Sequence, residues 1–466
     1  MKFLVGNKII AKGATRELHN WCMDNLVLFN PDYAKKERMG LWTGSTPRNI
    51  FLYERNGSDL ILPFGCIAQL RSRFPDAQFM AQNRPRIAFN YRSHISLYPY
   101  QENAVLKALE GKNGILVMPC GAGKTQTGLE VVARIGGRAL WLTHTQDLLN
   151  QSMNRAKSVF GCPLSSYGTI TGGKVNIGEG ITFATVQTMS KLDLNEYRDC
   201  WDVVIVDECH RAIGSPTKVM QFYKVLSNLS CRYKFGLTAT PKRADGLEKA
   251  MFALIGDVLC EVSKKEVANT TCPVVVITME TGYKPNTDMA LAGDGTINYA
   301  GLVEDLTHNS ERLSAVSQKI IQVSEQGATL VLANRVEYLQ RLEDILVKAG
   351  RTCICLSAMG QSKAAKTARK EALRKLNAGE IDCVLATYAL AREGLDVPNL
   401  RYVVFSTPEK DSTTVEQSTG RVGRKADGKE FGTVIDFVDD FGMYYGWAMQ
   451  RQKTYKKLGY EILTDM

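Results

Sequence analysis

The sequence predicts two tandem doubly wound α/β lobes, each on a parallel sheet, preceded by a small accessory domain. Three observations predict it. From about residue 92, short Val-, Ile- and Leu-rich runs alternate with longer helical stretches; a glycine-rich loop follows the first run; and residues 1–90 are built differently, from short apolar pieces between turn signals such as Asn30-Pro31 and Asn56-Gly57-Ser58. A chain of 466 residues also exceeds one ordinary core.

The first set of strands is expected at 114–118, 139–142, 181–184, 203–206 and 235–237, and the second at 329–332, 353–356, 383–386, 402–405 and 433–437. These runs lack polar alternation, as parallel strands covered on both faces should. Strand and helix alternating twice give two lobes. The expected boundaries are 1–90 for the accessory domain, 91–263 for lobe 1 and 301–466 for lobe 2. Between them, 264–300 is irregular, with one strand candidate at 273–278, and reads as a linker partly belonging to lobe 2. The last stretch, 442–466, reads as a basic helix.

Apolar residues at 44% and charged residues at 23% place the chain among globular proteins. No apolar run approaches the ~18 residues of a membrane span. Asn7, Lys8 and Lys12 interrupt the apolar start too early for a signal peptide, so a cytoplasmic location is expected. The twelve cysteines include no CxxC pair, and none of the five histidines stands at ligand spacing from them; no zinc is expected. Residues 1–100 hold 14 Lys and Arg against 7 Asp and Glu, so seven of the ten net positive charges lie there. A basic module on a nearly balanced remainder suits a phosphate-bearing partner.

The sharpest local signal is Met118-Pro119-Cys120-Gly121-Ala122-Gly123-Lys124-Thr125, between a strand and a helix. Such a loop curls so that its N–H groups face phosphate oxygens, helped by the positive end of the helix. Lys124 then serves the β- and γ-phosphates of ATP, and the Thr125 hydroxyl can ligate Mg²⁺. A second signal, Val203-Val204-Ile205-Val206-Asp207-Glu208, ends an apolar strand in two acids. Asp207 is placed to hold Mg²⁺ and Glu208 to orient and deprotonate the attacking water. A third, Gln417-Ser418-Thr419-Gly420-Arg421-Val422-Gly423-Arg424, carries two arginines three apart. On one helical turn they would face the same way and could neutralise charge on the γ-phosphate, and the glycines would allow close backbone approach.

In order and spacing these segments resemble the superfamily two helicases over roughly residues 95–440. The resemblance implies RecA-like lobes, a DECH box at Asp207-Glu208-Cys209-His210, and coupling of nucleotide state to nucleic-acid grip through His210 and the Thr238 and Thr240 of Leu237-Thr238-Ala239-Thr240-Pro241. It implies nucleotide contacts from Gln101, Cys120, Gly121, Ala122 and Gly123, and from Gly394 and Asp396 in the segment 386–398, with Gln417 in the catalytic set. It implies nucleic-acid contacts from Thr143, His144, Thr145, Gln151, Thr185, Gln187 and Thr188 in lobe 1, and from Asn334, Arg335 and Thr387 in lobe 2. Short hydroxyl and amide groups at strand ends can bond phosphates without reading bases, although each Thr could equally cap a helix. DECH rather than DEAD, and Gln417 opening the last motif, lean away from the DEAD-box RNA helicases. Thr240–Gly246 resembles the XPB-like branch, with Ala244 where that branch carries Glu. The compact length with a small N-terminal module resembles the UvsW-like phage branch-migration helicases. The expected partner is single-stranded, forked or branched DNA, handled by a monomer. The alternatives are a duplex translocase that separates no strands, an RNA helicase, and an ATP-locked binding module; the last has no need of the acid pair and arginines together.

Overall fold

The computed structural model describes residues 1–82, 87–119, 121–213, 215–239, 241, 246–267, 271–293, 296–360, 362–392, 395 and 397–464. It comprises two compact units, one of residues 1–119 and 123–263, the other of 120–122 and 264–466. No helix among the described residues is long and apolar enough to cross a membrane.

In the first unit, eight strands form one sheet in the order Lys174–Asn176, Tyr167–Thr171, Ile181–Thr185, Ala139–Thr143, Val203–Asp207, Tyr233–Thr238, Asn113–Val117 and Val258–Glu261. All neighbours are parallel except the first pair. Successive side chains bury on opposite faces: Leu140, Leu142, Val204 and Val206 join one core, Trp141, Val203 and Ile205 the other. Two-sided burial explains the missing polar alternation. Because the central strands are parallel, Val117, Thr143, Thr185, Asp207 and Thr238 all end at one edge, where such sheets bind ligands.

Residues 1–81 form a five-stranded sheet in the order Glu54–Asn56, Asp59–Pro63, Lys8–Lys12, Lys2–Val5 and Gln78–Ala81, with helices Arg16–Asn25 and Ile67–Arg73. This module shares a core with lobe 1: Leu62, Cys66 and Leu70 belong to the same cluster as Phe222, Leu226 and Met251. A Cβ on Gly65 would lie 2.5–2.7 Å from the Phe252 and Ala253 carbonyls and the Gly256 nitrogen. Gln69 bonds Asp257 at 2.7 Å, and the Lys234 ammonium lies 4.9 Å over the Phe64 ring.

The second unit has seven parallel strands in the order Cys353–Cys355, Cys383–Thr387, Thr329–Ala333, Tyr402–Phe405, Gly432–Val438, Val274–Glu280 and Glu461–Thr464. The stretch read as a linker therefore contributes Val274–Glu280 to the interior of this sheet, in register with Gly432–Val438 over seven pairs. The C-terminal stretch is helical only over Gly442–Leu458; αL Gly459 ends the helix, and Glu461–Thr464 follows as an edge strand.

Candidate nucleotide site and nucleic-acid face

In lobe 1 the loop after Asn113–Val117 turns through Gly121 and Gly123 at φ of 82° and 76°, a left-handed backbone that glycine adopts without strain. A Cβ on Gly123 would also collide with Nε2 of Gln101, so the buried Gln101 side chain lies against the loop. Its other atom, Oε1, accepts from the Tyr98 N–H at 2.9 Å. Lys124 opens the helix Lys124–Ile135, whose N-cap is Gly123; Thr125 follows it, half-buried, in the first turn. The Lys124 ammonium is 3.5 Å from the Met118 and Pro119 carbonyls and 3.5 Å from Glu208 Oε1.

Asp207 ends the strand Val203–Asp207 with a buried carboxylate: Oδ1 accepts from the Glu208 N–H at 3.0 Å and Oδ2 from Ser152 Oγ at 3.4 Å. Burial and the adjacent Glu208 charge push its pKa up, and Lys124 opposes this. Glu208 sits at φ 47°, uncommon for a residue with a side chain and a form of strain found at functional sites. Lys124 and the nearby basic residues hold its carboxyl below the usual range against burial. Among the described residues its buried Oε2 has no hydrogen-bond partner. His210 Nδ1 lies 2.8 Å from Thr238 Oγ1 and 3.4 Å from Glu208 Oε2, so the acid pair is tied to the next strand end.

In lobe 2 the helix Ser412–Thr419 carries Gln417 and ends at Gly420, before either arginine. Arg421 and Arg424 lie in the turns beyond it, where the Arg421 N–H reaches Ser418 O and the Arg424 N–H reaches Arg421 O, both at 3.4 Å. The expectation that one helical turn points both outward together is thus corrected. Arg421 is 8% exposed and donates to the Ala391 and Leu395 carbonyls of its own lobe. Arg424 is half-buried, in an isolated bridge with Thr271. Backbone does approach at Gly423, whose carbonyl accepts from the Cys272 N–H at 2.8 Å; a Cβ there would meet Val274 Cγ2 at 3.4 Å and the Cys272 and Gly420 carbonyls at 3.6 Å, ordinary contact.

The expected nucleic-acid residues divide by what their polar groups already do. Thr143 and Thr185 end adjacent, in-register strands, but Thr143 is 1% exposed and donates to the Thr145 carbonyl. Thr145 and Thr185 are N-caps, accepting from Leu148 and Thr188, which is the local role left open for such threonines. Gln187 donates to the His144 carbonyl at 3.0 Å; Thr188 lies 2.8 Å from the Thr185 hydroxyl; Gln151 is exposed on its helix. Burial and the Arg211 guanidinium push His144 down to about 3, so it is neutral at physiological pH. In lobe 2, Asn334 Nδ2 donates to Pro408 O at 2.7 Å, Arg335 pairs with Glu304 at 3.1 Å, and Thr387 caps the following turn through the Leu390 N–H.

Two family models match in order along the chain: "Type III restriction enzyme, res subunit" over residues 94–243 and "Helicase conserved C-terminal domain" over residues 311–426. The first covers the Lys124 loop and the acid pair, the second the arginine turn. The chain belongs to the superfamily two helicases. This helicase is 26% identical over 381 residues to a candidate ATP-dependent RNA helicase of Acanthamoeba polyphaga mimivirus, spanning 79% of this chain and 69% of that one. It is 26% identical over 392 residues to the DNA 3'-5' helicase XPB of Kineococcus radiotolerans, spanning 78% and 64%. Its fold is similar to that of Saccharomyces cerevisiae Dbp5 bound to RNA and ADP–BeF3, with a TM-score of 0.60 at 16% identity over 79% of this chain and 90% of that one. The helicase is therefore a nucleic-acid-dependent ATPase with two RecA-like lobes.

Two groups in the helicase site escaped the sequence reading. Ser152 is buried against Asp207; its signal is a polar residue on the apolar helical face of Leu149, Ala156 and Val159. Ser357 accepts from the Thr387 N–H at 2.8 Å and carries no comparable signal. The expected contacts Cys120, Thr240, Gly394 and Asp396, and the segment 242–245 with Ala244, lie outside the described residues.

Proposed function

We propose that this helicase hydrolyses ATP at the Lys124–Asp207–Glu208 edge of lobe 1 and uses the cycle to move along DNA and remodel branched DNA. One observation carries the catalytic half: the strained Glu208, held ionised beside Lys124, keeps at the strand end an Oε2 that accepts no hydrogen bond among the described residues, with His210 Nδ1 3.4 Å away. A carboxylate oxygen that accepts no hydrogen bond is what a water-orienting base needs. Lys124 holds the β- and γ-phosphates, the loop N–H groups cradle them, and Gln101 positions the base. Thr125 and Asp207 offer the hard oxygens that suit Mg²⁺, which takes one or two protein ligands and leaves the rest to phosphate and water. That ion would neutralise charge on the phosphates. Arg424 of lobe 2, with Arg421 once it leaves the 391 and 395 carbonyls, serves the same γ-phosphate during hydrolysis. His210 and Thr238 pass the nucleotide state to the strand ends bearing the nucleic-acid residues.

The DECH box, Gln417 and the XPB relative favour DNA; the name of the mimivirus relative keeps RNA as the second reading. The branched-DNA reading draws on the basic module fixed to lobe 1, whose excursion between Val27–Phe29 and Asn49–Phe51 exposes Lys35, Arg38, Arg48 and Trp42. Because that module shares the lobe 1 core, its test is charge reversal rather than deletion. ATPase stimulation is compared for single-stranded DNA, duplex, a four-way junction and RNA. The expected order places the junction first, with Lys35→Glu/Arg38→Glu/Arg48→Glu losing that advantage while keeping single-strand stimulation. Stimulation by RNA alone defeats the DNA reading, and equal stimulation by junction and duplex defeats the branched-DNA reading.

A further inference from the structure

Away from the nucleotide site, lobe 2 carries an aromatic cluster at its surface. Tyr299 opens the helix Tyr299–His308 and is 52% exposed. Its ring centre is 6.2 Å from that of Trp447 on the helix Gly442–Leu458, and Trp447 meets buried Tyr444 edge-on at 5.5 Å. The ammonium of exposed Lys410 lies 5.3 Å over the Trp447 ring. Tyr299 and Trp447 line a shallow hollow together with Asn334, Arg335 and Pro408. Asn334 and Arg335 directly follow the strand Thr329–Ala333, so the hollow opens at the C-terminal edge of the lobe 2 sheet.

An exposed tyrosine beside an indole leaves apolar surface in water that the core does not use. Aromatic faces with cations beside them are the elements that bind an unstacked base and its phosphates without regard to sequence. A hollow lined by Asn334 and Arg335 puts those elements where the nucleic acid is proposed to run. We propose that Tyr299 and Trp447 form a stacking platform for one unpaired nucleobase, with Lys410 and Arg335 serving the flanking phosphates. This rests on the reading of the Asn334–Arg335 edge as part of the nucleic-acid face. It deepens that reading: a platform for an unpaired base demands separated strands, which favours strand separation over duplex translocation.

The test uses the full chain, an oligothymidylate and an abasic oligonucleotide of equal length, titrated at several salt concentrations. Stacking is worth about 1–3 kcal/mol per base, so the wild type should prefer the base-bearing strand on the order of ten-fold. Tyr299→Ala should erase most of that preference without changing the salt slope, and Tyr299→Phe should retain it. Lys410→Ala should instead flatten the salt slope by about one ion. Tyr299→Ala that keeps the wild-type preference overturns the platform, as does Tyr299→Phe failing as Ala does. If Tyr299→Ala is normal while Thr387→Ala binds poorly, the platform falls alone and the nucleic-acid face stands. Wild-type protein that binds neither strand overturns both.

Discussion

The two lobes share a wiring and differ in how they treat buried charge. At the lobe 1 edge, the Glu208 N–H meets Asp207 at 3.0 Å, Lys124 lies 3.5 Å from Glu208 Oε1, and Glu208 Oε2 accepts no hydrogen bond among the described residues. In lobe 2 the buried guanidiniums of Arg312 and Arg451 are saturated. Arg312 bonds Asp439 at 2.7 and 2.9 Å, Tyr338 at 2.8 Å and the Ser406 carbonyl at 2.9 Å. Arg451 bonds Asp436 and the Glu409 carbonyl at 3.0 Å and the Phe437 carbonyl at 3.2 Å. Saturated ions brace a fold; unsatisfied ones wait for a ligand. That contrast is what supports the proposal that the chemistry lies at the lobe 1 edge.

The comparison breaks most decisively at the arginine pair. Arg424→Ala should leave ATP binding intact and cut nucleic-acid-stimulated hydrolysis by about 10³-fold or more, the range of a charge-neutralising arginine. Near-normal turnover would remove lobe 2 from the reaction. Arg421→Ala should in addition lower the melting temperature, because it vacates the Ala391 and Leu395 carbonyls; a melt identical to that of Arg424→Ala would contradict the inward placement. Next in size, Glu208→Gln should lose about 10²–10⁴-fold in turnover while retaining nucleotide, as expected for a lost general base. Turnover within a few-fold of wild type in that variant would mean that the unpartnered oxygen does no catalysis.

The same contrast explains what could be read from the residues. The strand predicted at 203–206 is observed as Val203–Asp207 and that at 139–142 as Ala139–Thr143, because two-sided burial writes itself as an unbroken apolar run. The outer strands were not legible: Tyr167–Thr171, second from one edge of its sheet, is mostly Thr and Gly, and the edge strand Glu461–Thr464 follows a basic helix. Val274–Glu280 was visible as a strand, but its partners lie more than 150 residues on, and pairing at that distance leaves no local trace. Lys124, Asp207 and Glu208 could be placed because each ends or follows a strand of one parallel sheet. The direction of Arg421 could not, since Gly-Arg-Val-Gly-Arg reads the same whether the first guanidinium faces outward or bonds its own lobe.

Smaller effects probe the structural half of the contrast. Arg312→Ala leaves Asp439 buried without its partner, which should cost about 3–5 kcal/mol, read as a lower melting temperature of lobe 2. Arg312→Ala with Asp439→Ala should recover part of that loss; no recovery would mean that packing rather than charge is lost.

The smallest effect lies at His144, where lobe 1 buries a titratable group without saturating it. Its folded pKa of about 3 is far below the ordinary ~6.5, so between those values the unfolded chain binds a proton that the folded one does not. Stability should therefore fall as pH drops below about 6.5, by up to ~1.4 kcal/mol per pH unit from this residue. His144→Gln should be the less acid-sensitive protein, losing about 1–2 kcal/mol less than wild type between pH 7 and pH 5 in calorimetric melts. Equal acid sensitivity in the two would place a charged, solvated imidazole at this strand end.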